Sequence, residues 1–137
     1  MGVTITCKNP KYSFDMGYGG FFNLRKNIAI ALDEEFGNHY STLTSCHSPQ
    51  DYTNFDNIAN RMISEKDLDD DILDFLFQSD CDGKINYRTC KKIYELIKNV
   101  DFGNKSFRYT AYAHNDYEEL KEFLLDCYKY HKNMIWY

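Results

Sequence analysis

The chain has 137 residues, enough for one domain that buries about two-thirds of the surface its unfolded form exposes. Acidic residues outnumber basic ones 21 to 16, and the net charge of −5 argues against general duplex-DNA binding, which needs a basic face. No run approaches membrane-spanning length, "MGVTITCKNPKY" has no signal-peptide core, and five widely spaced cysteines without a C-x-x-C pair read as reduced thiols, so a cytoplasmic protein is expected.

The first segment, "VTITCKNPKYSFDM", alternates Val3, Ile5 and Cys7, breaks at Asn9-Pro10, and resumes with Tyr12 and Phe14, which predicts an N-terminal β-hairpin. Gly17, Gly19 and Gly20 then form a strand-to-helix connection, where positive φ angles favour glycine. From Phe21 the period lengthens. Leu24, Ile28, Leu32, Phe36 and Tyr40 recur every four residues, the buried stripe of one amphipathic helix, with Gly37 ending or weakening it. "TSCHSPQDYTN" reads as a loop broken at Pro49. Ser64 with Asp67 resembles a helix start, followed by an apolar face of Leu68, Ile72, Phe75 and Leu76.

Asn86 caps a third predicted helix with Cys90, Ile93, Tyr94 and Ile97 inward. A fourth opens near Asn115 and turns Tyr117, Leu120, Leu124, Cys127 and Tyr128 to the core. The closing "MIWY" is β-prone and completes the sheet. The expected fold is therefore one α+β domain over residues 1–137, helix-dominated, with an N-terminal β-hairpin, about four helices and a short C-terminal strand completing a small antiparallel sheet.

Chemistry is carried by few features. The glycine turn and the following helix start could hold an anion, with Arg25 one step off the buried stripe and Lys26 facing solvent. "QSDCDGKINYRT", Gln78 to Thr89, has Asp80, Asp82 and Gly83 at calcium-loop positions three, five and six, but Gln78 and Thr89 occupy the first and twelfth; no metal site is expected there. Cys46-His47 and the four histidines match no nucleophile or metal spacing, so neither a catalytic set nor a cofactor is expected. "GNKSFRYTAYAHNDY" interleaves Arg108 with Tyr109 and Tyr112, residue types that hold phosphate and stack on bases. Arg88 supplies a further cation.

"CKNPKYSFDMGYGGFFNLRKNIA", "ILDFLFQSDCDGKINYRTCKKIYELI" and "MIWY" together resemble a family of small proteins of unknown function encoded by phages and prophages of low-GC Gram-positive bacteria. The resemblance implies an accessory phage protein in the host cytosol, of the kind that antagonises host defence. The resulting expectation is a non-enzymatic binder that sequesters a small anionic, nucleotide-like ligand through Gly17, Gly19, Gly20, Arg25, Lys26, Arg88, Arg108, Tyr109 and Tyr112. The alternative is an interaction protein that inhibits a host defence protein through an acidic, Tyr-rich surface. Homo-oligomerisation is compatible with either.

Overall fold

The structure, a computed structural model, describes residues 2–7, 13–101 and 114–137. Its elements in chain order are β1 (Gly2–Cys7), β2 (Ser13–Gly17), α1 (Tyr18–Leu32), α2 (Glu34–Tyr40), a short 3₁₀ turn (Ser41–Ser45), α3 (Pro49–Lys66), α4 (Asp70–Phe77), β3 (Gly83–Ile85), α5 (Tyr87–Ile97), α6 (His114–Lys129) and β4 (Met134–Trp136). The fold is α+β and helix-rich, but with six α-helices among the described residues rather than about four.

The strands form one antiparallel sheet in the order β2-β1-β4-β3. β1 and β2 pair from Gly2 opposite Gly17 to Thr6 opposite Ser13. The turn expected at Asn9-Pro10 lies outside the described residues. The closing segment adds to β1 as expected, with Ile5 opposite Trp136 and Cys7 opposite Met134. Its other side pairs with β3, a strand that the sequence reading missed because three residues carry too little alternation. Val3, Ile5, Cys7, Ile85, Met134 and Trp136 all turn to the core, as period-two side chains must. The Trp136 ring sits 5.7 Å from Phe21 and 5.6 Å from Phe75, and its indole N–H donates to the Ser79 carbonyl at 2.8 Å.

The four-residue stripe divides at Asp33. That residue is extended (φ −162°, ψ 125°), its amide closes α1 on the Ala29 carbonyl, and its carboxylate accepts from the Phe36 amide to open α2. Leu24, Ile28, Phe36 and Tyr40 are fully buried, so the stripe was read correctly and the single helix was not. Gly37 neither ends nor weakens the pair: it is buried inside α2, where a Cβ would strike the Ile30 backbone. It permits the close crossing of α1 and α2.

Pro49, expected to break a loop, starts α3. Ser48 accepts from the Asp51 amide, and proline at the first helical position forfeits no bond the helix needs. The start read at Ser64 and Asp67 is instead the end of α3, with Asp67 in the left-handed region at φ 51°. Asp69 caps α4 through the amides of Asp71 and Ile72, and Asn86 caps α5 as expected.

No described glycine has a positive φ. Gly17 is the extended N-cap of α1, Gly19 and Gly20 lie in its first turn, and a Cβ on Gly17 or Gly19 meets nothing within 4 Å. The positive-φ expectation for this turn is therefore corrected: the chain passes from strand to helix with no residue between. Gly37→Ala should lower stability by about 1–3 kcal/mol through overpacking, whereas Gly19→Ala should be neutral or stabilising by less than about 1 kcal/mol. Equilibrium denaturation of the two variants checks this, and an unshifted Gly37→Ala midpoint would contradict the close helix crossing.

Candidate functional site

From Leu24 to Ile30 every residue of α1 is buried, so α1 is a central helix and not a one-sided surface helix. This overturns the roles expected of Arg25 and Lys26, each only 3% exposed. A buried cation must be satisfied. The Arg25 guanidinium donates from Nη1 to the carbonyls of Phe75 and Leu76, both at 3.3 Å, and of Gln78 at 2.7 Å. These are carbonyls at the C-terminal end of α4, where helix geometry leaves acceptors unpaired and the dipole is negative. Phe21 packs on the guanidinium at 4.9 Å. Burial pulls the Arg25 pKa below its ordinary value, while Tyr40 and Asp80 oppose that shift. The Lys26 ammonium lies 4.5 Å from the Phe22 ring centre, and burial lowers its pKa as well. On the same central helix, the Asn27 amide donates to the Tyr117 hydroxyl at 2.6 Å. Arg25 is thus a helix cap, and Lys26 is a buried side chain rather than a solvent-facing one.

The remaining expected site residues do not converge on this helix start. Arg108, Tyr109 and Tyr112 lie outside the described residues. Arg88 is exposed on α5, against a groove whose α4 wall is Asp69 and Ile72 at that helix's N-terminal end. Arg25 holds the opposite end of α4.

The groove itself has a volume of about 560 Å³. It forms because α5 buries Cys90, Ile93 and Ile97 on one face and presents Arg88, Lys91, Lys92, Glu95 and Leu96 on another, at the spacing that lines one side of a helix. Ile72 from α4 and Tyr128 from α6 complete the apolar floor. The charged rim is sorted. Lys92 bonds Asp69 at 3.1 Å and Asp71 at 2.6 Å, and Glu95 pairs with Lys98. Hydrogen bonds to Asp71 and Asp69 raise the Lys92 pKa. Burial pushes the Asp69 carboxyl up, but the Ile72 amide and the Lys92 ammonium outweigh it, so its pKa falls below the ordinary value.

Beside the groove runs a chain of rings and cations. The Arg88 guanidinium lies 5.4 Å from the Tyr87 ring, Tyr87 stacks on His131 at 4.7 Å, and His131 meets Tyr128 edge-on at 6.5 Å. Lys91 lies 4.4 Å over Tyr128. Lys91 and Tyr128 were missed as site residues; the spacing of Arg88, Lys91 and Glu95 on a capped helix was the available signal.

Cys127, Cys46 and the Gln78 loop make contacts within the fold. A hydrogen bond that the Cys127 S–H donates to Cys90, then burial, pushes the Cys127 thiol far above its ordinary range, which makes it a poor nucleophile. Cys46 donates weakly to the Asp51 carbonyl, and the His47 amide donates to the Asp51 carboxylate. Gln78 joins α4 to β3 by bonding Asp74 and both backbone groups of Lys84.

No family model, curated protein or solved structure matches the chain.

Two stability predictions follow from the Arg25 cap. Arg25→Met keeps apolar bulk but takes the donor from the Phe75 and Gln78 carbonyls and leaves Leu76 to Tyr40 alone, and should cost about 3 kcal/mol in chemical denaturation. A cost under about 0.5 kcal/mol would remove the capping role. Tyr40, which donates to the Leu76 carbonyl at 2.6 Å, has its pKa raised to about 12 by burial, against a smaller opposing effect of Arg25. Its neutral form is favoured by folding, so this contribution is complete below about pH 10 and is lost as pH climbs towards about 12. Tyr40→Phe should flatten that part of the stability curve; a parent-to-variant difference constant between about pH 9 and pH 12 would contradict it.

Proposed function

We propose that the protein is a non-enzymatic binder of an anionic, nucleotide-like ligand, and that its site is the groove between α4, α5 and α6. The observation that carries this reading is the pairing of an apolar floor with two cations next to aromatic rings. Ile72, Leu96 and Tyr128 offer a surface for a ring, and Arg88 and Lys91 stand three residues apart on one helix to receive a phosphate. The other titratable groups of the rim are held in ion pairs, an arrangement suited to holding a ligand rather than to moving its protons. For an accessory phage protein in the host cytosol, the corresponding role is sequestration of a nucleotide signal from host defence.

A second reading, inhibition of a host protein by surface contact, has one specific feature in its favour. α3 buries only Phe55 and Ala59 and exposes Tyr52, Asp56 and Ile58. Such a surface has aromatic and aliphatic anchors of the kind protein interfaces use. Charge and concavity together favour the groove.

Calorimetric titration with the four nucleoside monophosphates tests the first reading. Binding should weaken roughly ten- to a hundredfold in Arg88→Ala and in Lys91→Ala, because a charge-assisted phosphate bond is typically worth about 1.5–3 kcal/mol. Arg61→Ala, on exposed α3, should leave binding unchanged. Absence of binding at millimolar nucleotide, or undiminished binding by Arg88→Ala, would overturn the assignment.

A further inference from the structure

The charges of the groove are unevenly placed, and this bears on how much phosphate it accepts. Asp69, Asp70 and Asp71 stand at the start of α4, with Asp69 lining the groove itself. Helix N-termini often attract phosphate, but this one is already occupied by its own side chain. The Asp69 carboxylate accepts from the Asp71 amide at 2.9 Å and the Ile72 amide at 3.2 Å. Lys92, the cation closest to that wall, is shared between Asp69 and Asp71. The α4 side therefore sets three carboxylates against one ammonium. On α5, Arg88 lies against Tyr87 and Lys91 over Tyr128; neither makes an ion pair among the described residues, and the Glu95 carboxylate, which feels the Lys91 charge, is paired with Lys98.

Resting on the nucleotide-binding reading above, we infer that the groove is selective for a single phosphate group: Arg88 and Lys91 receive one phosphate, and the acidic start of α4 rejects a longer polyphosphate chain. One helical turn separates the two cations, a spacing of about 5–6 Å between their Cβ atoms that lets both heads close on one phosphate. Each further phosphate adds negative charge within the field of Asp69, Asp70 and Asp71, where like charges repel most strongly in a partly desolvated groove. Lys92 cannot offset this while two carboxylates hold it.

The test is calorimetric titration of the full chain with adenosine mono-, di- and triphosphate, in chelator at fixed ionic strength so that no divalent ion bridges the charges. The monophosphate should bind tightest and the triphosphate roughly tenfold or more weaker. The double variant Asp70→Asn with Asp71→Asn should improve triphosphate binding several-fold and leave the monophosphate within about twofold. Both substituted residues are exposed, and thermal unfolding verifies that the variant is folded. Triphosphate binding equal to or tighter than monophosphate binding, still dependent on Arg88, overturns the selectivity and leaves the proposed site standing. An unimproved triphosphate affinity in the folded double variant overturns the role of the acidic wall. Absence of binding by all three nucleotides overturns both this inference and the reading on which it rests.

Discussion

A guanidinium taken out of water must recover its solvation from the protein, and a helix that ends in a core must find donors for its last carbonyls. In this fold one contact serves both demands through the guanidinium Nη1, while the buried Arg25 Nε has no hydrogen-bond partner among the described residues. Arg25, from the middle of α1, reaches the carbonyls of Phe75, Leu76 and Gln78, with Tyr40 adding a hydroxyl donor to Leu76. The contact sets where α4 ends. Just beyond that end, Gln78 binds β3 and Ser79 accepts from Trp136. The central helix, the short helix above it and the far side of the sheet are thereby tied to one cation. Its net worth is small compared with the hydrophobic core, since much of the gross attraction is offset by desolvation. Its removal is costly because the buried bond to the Phe75 carbonyl is lost and Leu76 keeps only the Tyr40 hydroxyl.

The same contact reassigns the chemistry of the surface. With Arg25 and Lys26 inside, the proposed anion site falls to α5, where cations stand beside rings. α5 is amphipathic in a specific sense: one face supplies Cys90, Ile93 and Ile97 to the core, and another carries Arg88, Lys91 and Leu96 along a groove. α4 and α6 flank that groove but do not cover it. The acidic start of α4 holds Lys92, so the groove has a basic side and an acidic side. In the proposed site, steering and selectivity follow from the difference between the two, more than from the overall charge of −5.

Much of the architecture was legible. Alternation in Val3, Ile5 and Cys7, the four-residue stripe, the Asn86 cap and the apolar closing strand each correspond to what the structure contains. The misreadings share a cause. Pro49 and the Ser64-Asp67 pair were assigned from residue type, whereas a cap is defined by which amide meets which oxygen. Asp33 shows the same limit: its side chain satisfies Phe36 only because the chain turns there. The glycines were inverted. Gly17 and Gly19 stand in open space, while Gly37 and Gly83 face close neighbours, Ile30 and Trp136.

Periodicity, capping residues and composition by themselves determined the class of fold, the core faces of the helices and the terminal strand, because these follow from local geometry and from transfer of apolar side chains out of water. They could not determine whether α1 is flanked on one side or on all sides. The stripe of Leu24 and Ile28 is the same in both cases, and only the tertiary surroundings of the helix decide whether Arg25 and Lys26 meet water or protein. The groove is equally a tertiary product. Arg88, Lys91, Ile72 and Tyr128 come from three helices, and their approach depends on distances that a sequence pattern does not encode.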